Sequence, residues 1–320
     1  MRKTQPLWRS TPPAIFPIAL GFMGLGLAWR NVANVVPVPS FLGELILGVS
    51  AALFVFFAVS YLLKFIARPA VVLEDMKTPP GRAGVAAISM GLMILAAAML
   101  PFGALANGIW WAGVILQVVV ILLVTRVLMK MPPEARMVTP FQLLPYVGLI
   151  VAPIAGVALG HSLVVTIVSV FSFLAFLVIA ITYGLKLTKV RPQQPLRPSL
   201  VIFLAPMSLF AIAAALTGHD IIFTVFYWLA VDLAVVFLVI SPWLTKGGWT
   251  PIWGALTFPV ATFTSLQAIA VGRGGDTTVA LTLMIAGLVI ATGLILYVVY
   301  MAGKAWIRGD LSKKTGAATA

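Results

Sequence analysis

The chain has no cysteine, little charge and, inside half of its apolar runs, no proline. Without cysteine, disulfides, thiolate metal sites and cysteine nucleophiles are excluded. Only 9% of the 320 residues are charged, whereas a soluble domain carries roughly a quarter. No His-Glu metal motif, Ser/His/Asp set or phosphate-cradling glycine loop is present, so an enzyme would have no residues to carry its chemistry and no cofactor is implied.

What is present is apolar. Hydrophobic residues make up 62% of the chain and the mean hydropathy is +1.11. Ten long apolar runs follow one another: Ala14–Arg30, Phe41–Lys64, Gly84–Gly103, Gly108–Met129, Leu143–Gly160, Ser162–Leu185, Leu200–Thr217, Ile221–Ile240, Pro251–Val271 and Thr278–Ala302. Each spans 17 to 25 residues, enough at about 1.5 Å per residue to cross a hydrocarbon core of about 30 Å. A β-barrel would show shorter segments of alternating polarity. The fold class is therefore an all-α integral membrane protein with ten transmembrane helices, lying in a bilayer as one domain over residues 1–320. Its ordered core runs from about 14 to 308, and the tail beyond is expected to be disordered.

The net charge of +13 invites a nucleic-acid partner, but its placement excludes one. Nineteen of the 21 Lys and Arg residues, from Arg2, Lys3 and Arg9 to Lys313 and Lys314, fall on one side of the ten-helix topology. Arg30 and Arg273 alone fall on the other. Short loops rich in Lys and Arg stay cytoplasmic, so both termini are expected inside. The proline of the first run and the absence of a cleavage site mark that run as a retained helix rather than a signal peptide.

Proline divides the runs further. Pro17, Pro101, Pro145 with Pro153, Pro206 and Pro259 lie in runs one, three, five, seven and nine. The even runs have none in their interiors. A proline frees a backbone carbonyl that lipid cannot satisfy but protein or water can. The odd helices are therefore expected to face protein or a pore, and the even ones lipid. Short connections pair the helices as five hairpins, with Gly160-His161 and Gly218-His219 at equivalent turns. Five hairpins of one orientation predict a quasi-fivefold ring around a central pore, its odd helices brought close at Gly21, Gly24, Gly26, Gly148 and Gly156.

Ionisable groups inside the runs are scarce, and each costs roughly 2.5–3.5 kcal/mol at a helix centre. Asp232, in run eight, is the one charge well inside; it is either a proton-coupling carboxylate or a structural contact between helices or subunits. Glu44 suits the start of run two. His161 and His219 lack the three or four converging ligands of a metal site. Gln117 and Gln267 are expected to hydrogen-bond between helices. In run nine, Phe258, Thr262 and Ser265 fall at i, i+4 and i+7, one face of a helix. A bulky ring in line with two hydroxyls can act as a dewetting gate above a wet passage.

The segments Phe-Pro-Ile-Ala-Leu-Gly (16–21), Leu-Ala-Pro-Met-Ser (204–208) and Thr-Phe-Pro-Val-Ala-Thr (257–262) resemble signatures of the tellurite-resistance/dicarboxylate transporter family. That family includes bacterial TehA proteins, the yeast malate permease and the plant guard-cell slow anion channels, and the resemblance covers essentially the whole chain. It implies a homotrimer in a bacterial inner membrane, each subunit a ring of five hairpins passing small inorganic or organic anions. It implies that Phe258 plugs the pore. The expected lining is Pro17, Gly21, Gly24, Pro145, Pro153, Pro206, Pro259, Thr262 and Ser265. The alternative is a secondary carrier or exporter for C4-dicarboxylate, sulfite or tellurite-type oxyanions, with Asp232 as its proton site.

Overall fold

The structure is a computed structural model describing residues 6–274 and 277–319, and every element in those residues is a helix. Arg2 and Lys3 lie outside the described residues. Nine of the described helices are long and apolar enough to cross a membrane. They are α1 (Ile15–Ala33), α2 (Ser40–Ala67), α3 (Pro79–Ala98), α4 (Ala104–Met129), α6 (Ser162–Leu187), α7 (Leu204–Thr217, entered through a 3-10 stretch Gln194–Phe203), α8 (Asp220–Val239), α9 (Gly254–Gly272) and α10 (Thr277–Ile307). The fifth element, α5 (Pro140–Gly156), is shorter.

α5 is broken, and its composition explains why. Helical pieces Leu143–Val147 and Pro153–Gly156 are separated by a 3-10 segment, Gly148–Val151. Pro145 and Pro153 each remove an N–H from the ladder, and Gly148 adds flexibility. Side chains of α4 take up carbonyls of the broken backbone. Gln117 Nε2 donates to Leu144 O at 3.0 Å and to Pro145 O at 2.7 Å, while Trp110 Nε1 donates to Ala152 O at 2.9 Å. Gln117 thus bridges helices as expected, and its Oε1 accepts from Ser89. Gln267 does the same between α8 and α9, accepting from Tyr227 OH at 2.9 Å.

Burial follows the proline pattern. Over their most apolar stretches, α1, α3, α7 and α9 are 72 to 83% buried, whereas α2, α4, α6, α8 and α10 are only 17 to 33% buried. The outer faces of the even helices present residues such as Leu122, Val178, Val239 and Val289. An apolar surface of that kind on every outer helix suits hydrocarbon and not water. Among the odd elements, α1 packs on α3, α3 on α5, α5 on α7, α7 on α9, and α9 on α1. Each even helix packs on the odd element that precedes it in the chain.

Two of the hairpin turns are built alike. Gly160 and Gly218 take left-handed backbone (φ +82° and +76°), and the next amide, His161 or His219, donates back to the carbonyl five residues earlier. A glycine is needed there because a Cβ is disfavoured at positive φ.

Described residues near the two ends of the chain, Thr11 and Ala318, meet at one end of the bundle. Lys64 Nζ, fully buried, donates to Asp75 Oδ2 at 2.9 Å and to Thr11 O at 3.1 Å. Tyr61 OH donates to the same carboxylate oxygen at 2.9 Å. Asp75 Oδ1 accepts from the Ala318 amide at 2.7 Å. The tail expected to be disordered therefore folds: Asp310–Thr315 is helical and Leu311 is fully buried. A charged, alanine-rich tail carries no apolar run, but one leucine and one backbone amide suffice to dock it.

Candidate conduction pathway

Phe258 is set by its neighbours on α9. Pro259 lacks an N–H, so the helix cannot close the usual bond to Ala255 O. Thr262 Oγ1 stitches the same turn together, donating to Phe258 O and Pro259 O at 3.0 Å each. One residue earlier, buried Thr257 Oγ1 donates across to Pro17 O of α1 at 3.2 Å as well as to Gly254 O at 2.8 Å. The Thr257 hydroxyl thereby ties α9 to the Pro17 carbonyl of α1 beside the ring. Phe258 itself is buried, 5% exposed.

Two cavities meet that ring. One, about 230 Å3, lies toward the chain termini and is bordered by Pro17, Met90, Val147, Pro206, Pro259 and Lys314, among others. The other, about 170 Å3, lies toward the opposite end and is bordered by Gly24, Asn31, Thr262 and Ser265 with Ile and Leu side chains. Phe258 is the one residue common to both linings. Phe258, Thr262 and Ser265 do share a face, as their spacing requires.

The nine expected lining residues separate into three groups. Pro17, Pro206 and Pro259 border the first cavity; Gly24, Thr262 and Ser265 border the second. Gly21, Pro145 and Pro153 border neither. A Cβ on Gly21 would stand 2.8 Å from the Phe258 amide nitrogen, and closer still to Thr257 Oγ1, so this glycine serves close contact of α1 with α9. Pro145 and Pro153 act by breaking α5, which places Gly148 and Ile150 against the first cavity and Ile154 against the second. Asp232 stands on the exposed face of α8 and borders neither cavity.

Cations are nearly absent from the path. Lys314 is the one charged side chain in the two linings. Two arginines lie on the odd helices, Arg82 because α3 begins ahead of the apolar run that marks it and Arg30 near the end of α1. Arg82 sits in the first turn of α3, buried, donating to Met76 O at 3.1 Å and Lys77 O at 3.2 Å. Arg30 pairs with Glu44 at 2.7 Å. Both are held away from the cavities. Arg273 pairs with Asp220 at the same end as Arg30. The histidines are likewise engaged: His161 stacks on Trp110 with centroids 4.6 Å apart and contacts Asn107 Oδ1 through Nε2 at 2.6 Å, while His219 Nδ1 meets Thr217 Oγ1 at 2.8 Å. No group of three potential metal ligands forms among the described residues.

Sequence reasoning missed Lys314, Thr250 and Asn31 as lining residues and missed the Lys64–Asp75 pair. Only the pair left a signal, a lysine at the end of an apolar run and an acid eleven residues on.

Nine apolar helices and a nearly uncharged path define a multi-pass helical membrane protein. Residues 10–303 match the voltage-dependent anion channel family, SLAC1, and the chain belongs to that family. No curated protein matches the chain. Its general function is therefore anion transport across a membrane.

Proposed function

We propose that the chain is an anion channel whose central pathway is closed by Phe258. The observation that carries this reading is the position of that one ring between two cavities, each leading toward a different end of the bundle. An aromatic ring in an apolar neck excludes water and so holds back a hydrated ion. The odd elements, α5 included as the tenth crossing, form the proposed ring around the pathway. Support comes from their order of contact, α1 to α9 and back to α1, and from α5 bordering both cavities.

The end that carries the termini is proposed as cytoplasmic, in a bacterial inner membrane, because it holds nearly all Lys and Arg. Basic loops there raise the local concentration of anions. A homotrimer is proposed from the family resemblance. The proton-coupled carrier has less support, because Asp232 stands away from both cavities. Replacing Phe258 with Ala should raise anion conductance strongly in oocytes or planar bilayers. A variant that reaches the membrane and conducts no better than wild type would show that the ring is packing alone. Uphill uptake driven by a pH gradient in proteoliposomes would mark a carrier instead.

A further inference from the structure

We propose that the cavity on the terminal side carries, at its mouth, a binding site for a small monovalent inorganic anion, with Lys314 as cation and Trp249 and Thr250 as neutral donors. The inference deepens the anion pathway above and rests on it for the use of the site. Lys314 and Thr250 both border this cavity. The Lys314 ammonium stands 5.6 Å from the centre of the Trp249 ring. It takes part in none of the four ion pairs found among the described residues. Trp249, which stands behind the lining, and Thr250, which is part of it, have a buried Nε1 and Oγ1 with no hydrogen-bond partner among the described residues.

The chemistry of that set points one way. An ammonium and an indole N–H can only donate, and the threonine hydroxyl can donate as well. Two groups that only donate and a hydroxyl free to donate beside them are best satisfied together by a ligand that accepts, and the positive charge among them favours an anion. A single cation and an otherwise apolar cavity suit a single negative charge with a thin hydration shell. Asp310, four residues before Lys314 on the same short helix, forms no ion pair that would neutralise it.

The segment that carries the cation is anchored. Leu311 is buried beneath the short helix, and the Ala318 amide is bound to Asp75, itself paired with Lys64. The C-terminal segment therefore delivers a charge to the pathway that no membrane helix supplies. An anion entering from this side meets Lys314 before the apolar neck at Phe258.

Two measurements test the site. In patches carrying the Phe258→Ala channel, nitrate is varied separately on each face. Lys314→Gln should raise the half-saturating nitrate concentration on the terminal face by about fivefold, as one partly exposed charge allows. The opposite face should be unchanged, and Lys314→Arg should restore the original value. Independently of conduction, iodide quenching is measured on the full chain in detergent, taking wild type minus Trp249→Phe as the share of Trp249. Lys314→Gln should weaken that share several-fold. Unchanged half-saturation together with unchanged quenching, or an equal shift on both faces, would overturn the site. Quenching that depends on Lys314 in a Phe258→Ala protein that does not conduct would uphold the site and overturn the gate.

Discussion

The Phe258 ring is seated against Gly24: a methyl group on that glycine would stand 3.2 Å from Phe258 Cδ2 and 3.2 Å from the Ala261 side chain. A methyl group at position 24 would require the ring or Ala261 to give way by a few tenths of an ångström. Gly24→Ala should therefore push the ring from its seat and raise background anion flux above wild type, though less than Phe258→Ala does. Flux through proteoliposomes, with equal protein incorporation, is the measurement. Wild-type flux in the Ala variant would mean that the ring rotates to absorb the methyl group.

Selectivity should follow the ease of dehydration. Apart from Lys314 at the mouth, the linings hold hydroxyl, amide and apolar groups, which return little hydration energy to an ion. Nitrate and iodide should pass more readily than chloride through Phe258→Ala. Each unit charge crossing 100 mV gains about 2.3 kcal/mol, so a negative-inside potential drives efflux. Bi-ionic reversal potentials check this. A chloride-over-iodide order, or cation permeability, would require a coordinating site deeper in the path.

The buried Lys64–Asp75 pair ties α2, the N-terminal segment and the C-terminal segment together. Both side chains are fully buried, so removing one leaves an uncompensated charge and costs about 3–5 kcal/mol. Lys64→Met should lower the thermal midpoint in detergent markedly, and Lys64→Met with Asp75→Leu should recover part of the loss. A single variant as stable as wild type would show that the other charge finds water.

Glycines of the same sequence type should respond oppositely to alanine. Gly21 has no room for a methyl group against Thr257 and the Phe258 backbone, so Gly21→Ala should cost about 1–3 kcal/mol. Gly293, inside α10, has nothing within 4 Å of an added Cβ. Gly293→Ala should therefore gain about 0.5–1 kcal/mol from helix propensity and a stiffer unfolded chain. Melting curves of the two variants side by side decide it.

Asp232 lies exposed within α8, the least buried of the long apolar helices. A carboxylate facing lipid costs about 2.5–3.5 kcal/mol, which a covering subunit would relieve. In native mass spectrometry the wild type should run as a trimer and Asp232→Leu should shift toward smaller species. A trimer undisturbed by the leucine would place the subunit contact on another face.

The membrane class, nine of the ten expected spans and the division into buried and outer helices were legible in the chain itself, whereas run five is a shorter, broken element. Those properties depend on local composition: run length measures the crossing, and the prolines of α1, α5, α7 and α9 mark elements that pack on protein, although Pro101 lies exposed beyond the end of α3. Short turns such as those at Gly160 and Gly218 put consecutive helices side by side, and each even helix does pack on the odd element before it. The residues around the ring were not legible in the same way. Gly21 and Gly24 are one turn apart on the same helix, yet one meets Thr257 and the other the Phe258 ring, because the rotation of α1 against α9 is set by contacts across 240 residues of sequence. Pro145 and Pro153 looked like lining and act as breaks, since the carbonyls they disturb are taken up by Gln117 and Trp110 of the next helix. The polar tail had no apolar run to announce it, and only the folded bundle offered Asp75 as an acceptor and a pocket for Leu311. Local chemistry determined which segments enter the membrane, and long-range packing decided which of their side chains meet the path.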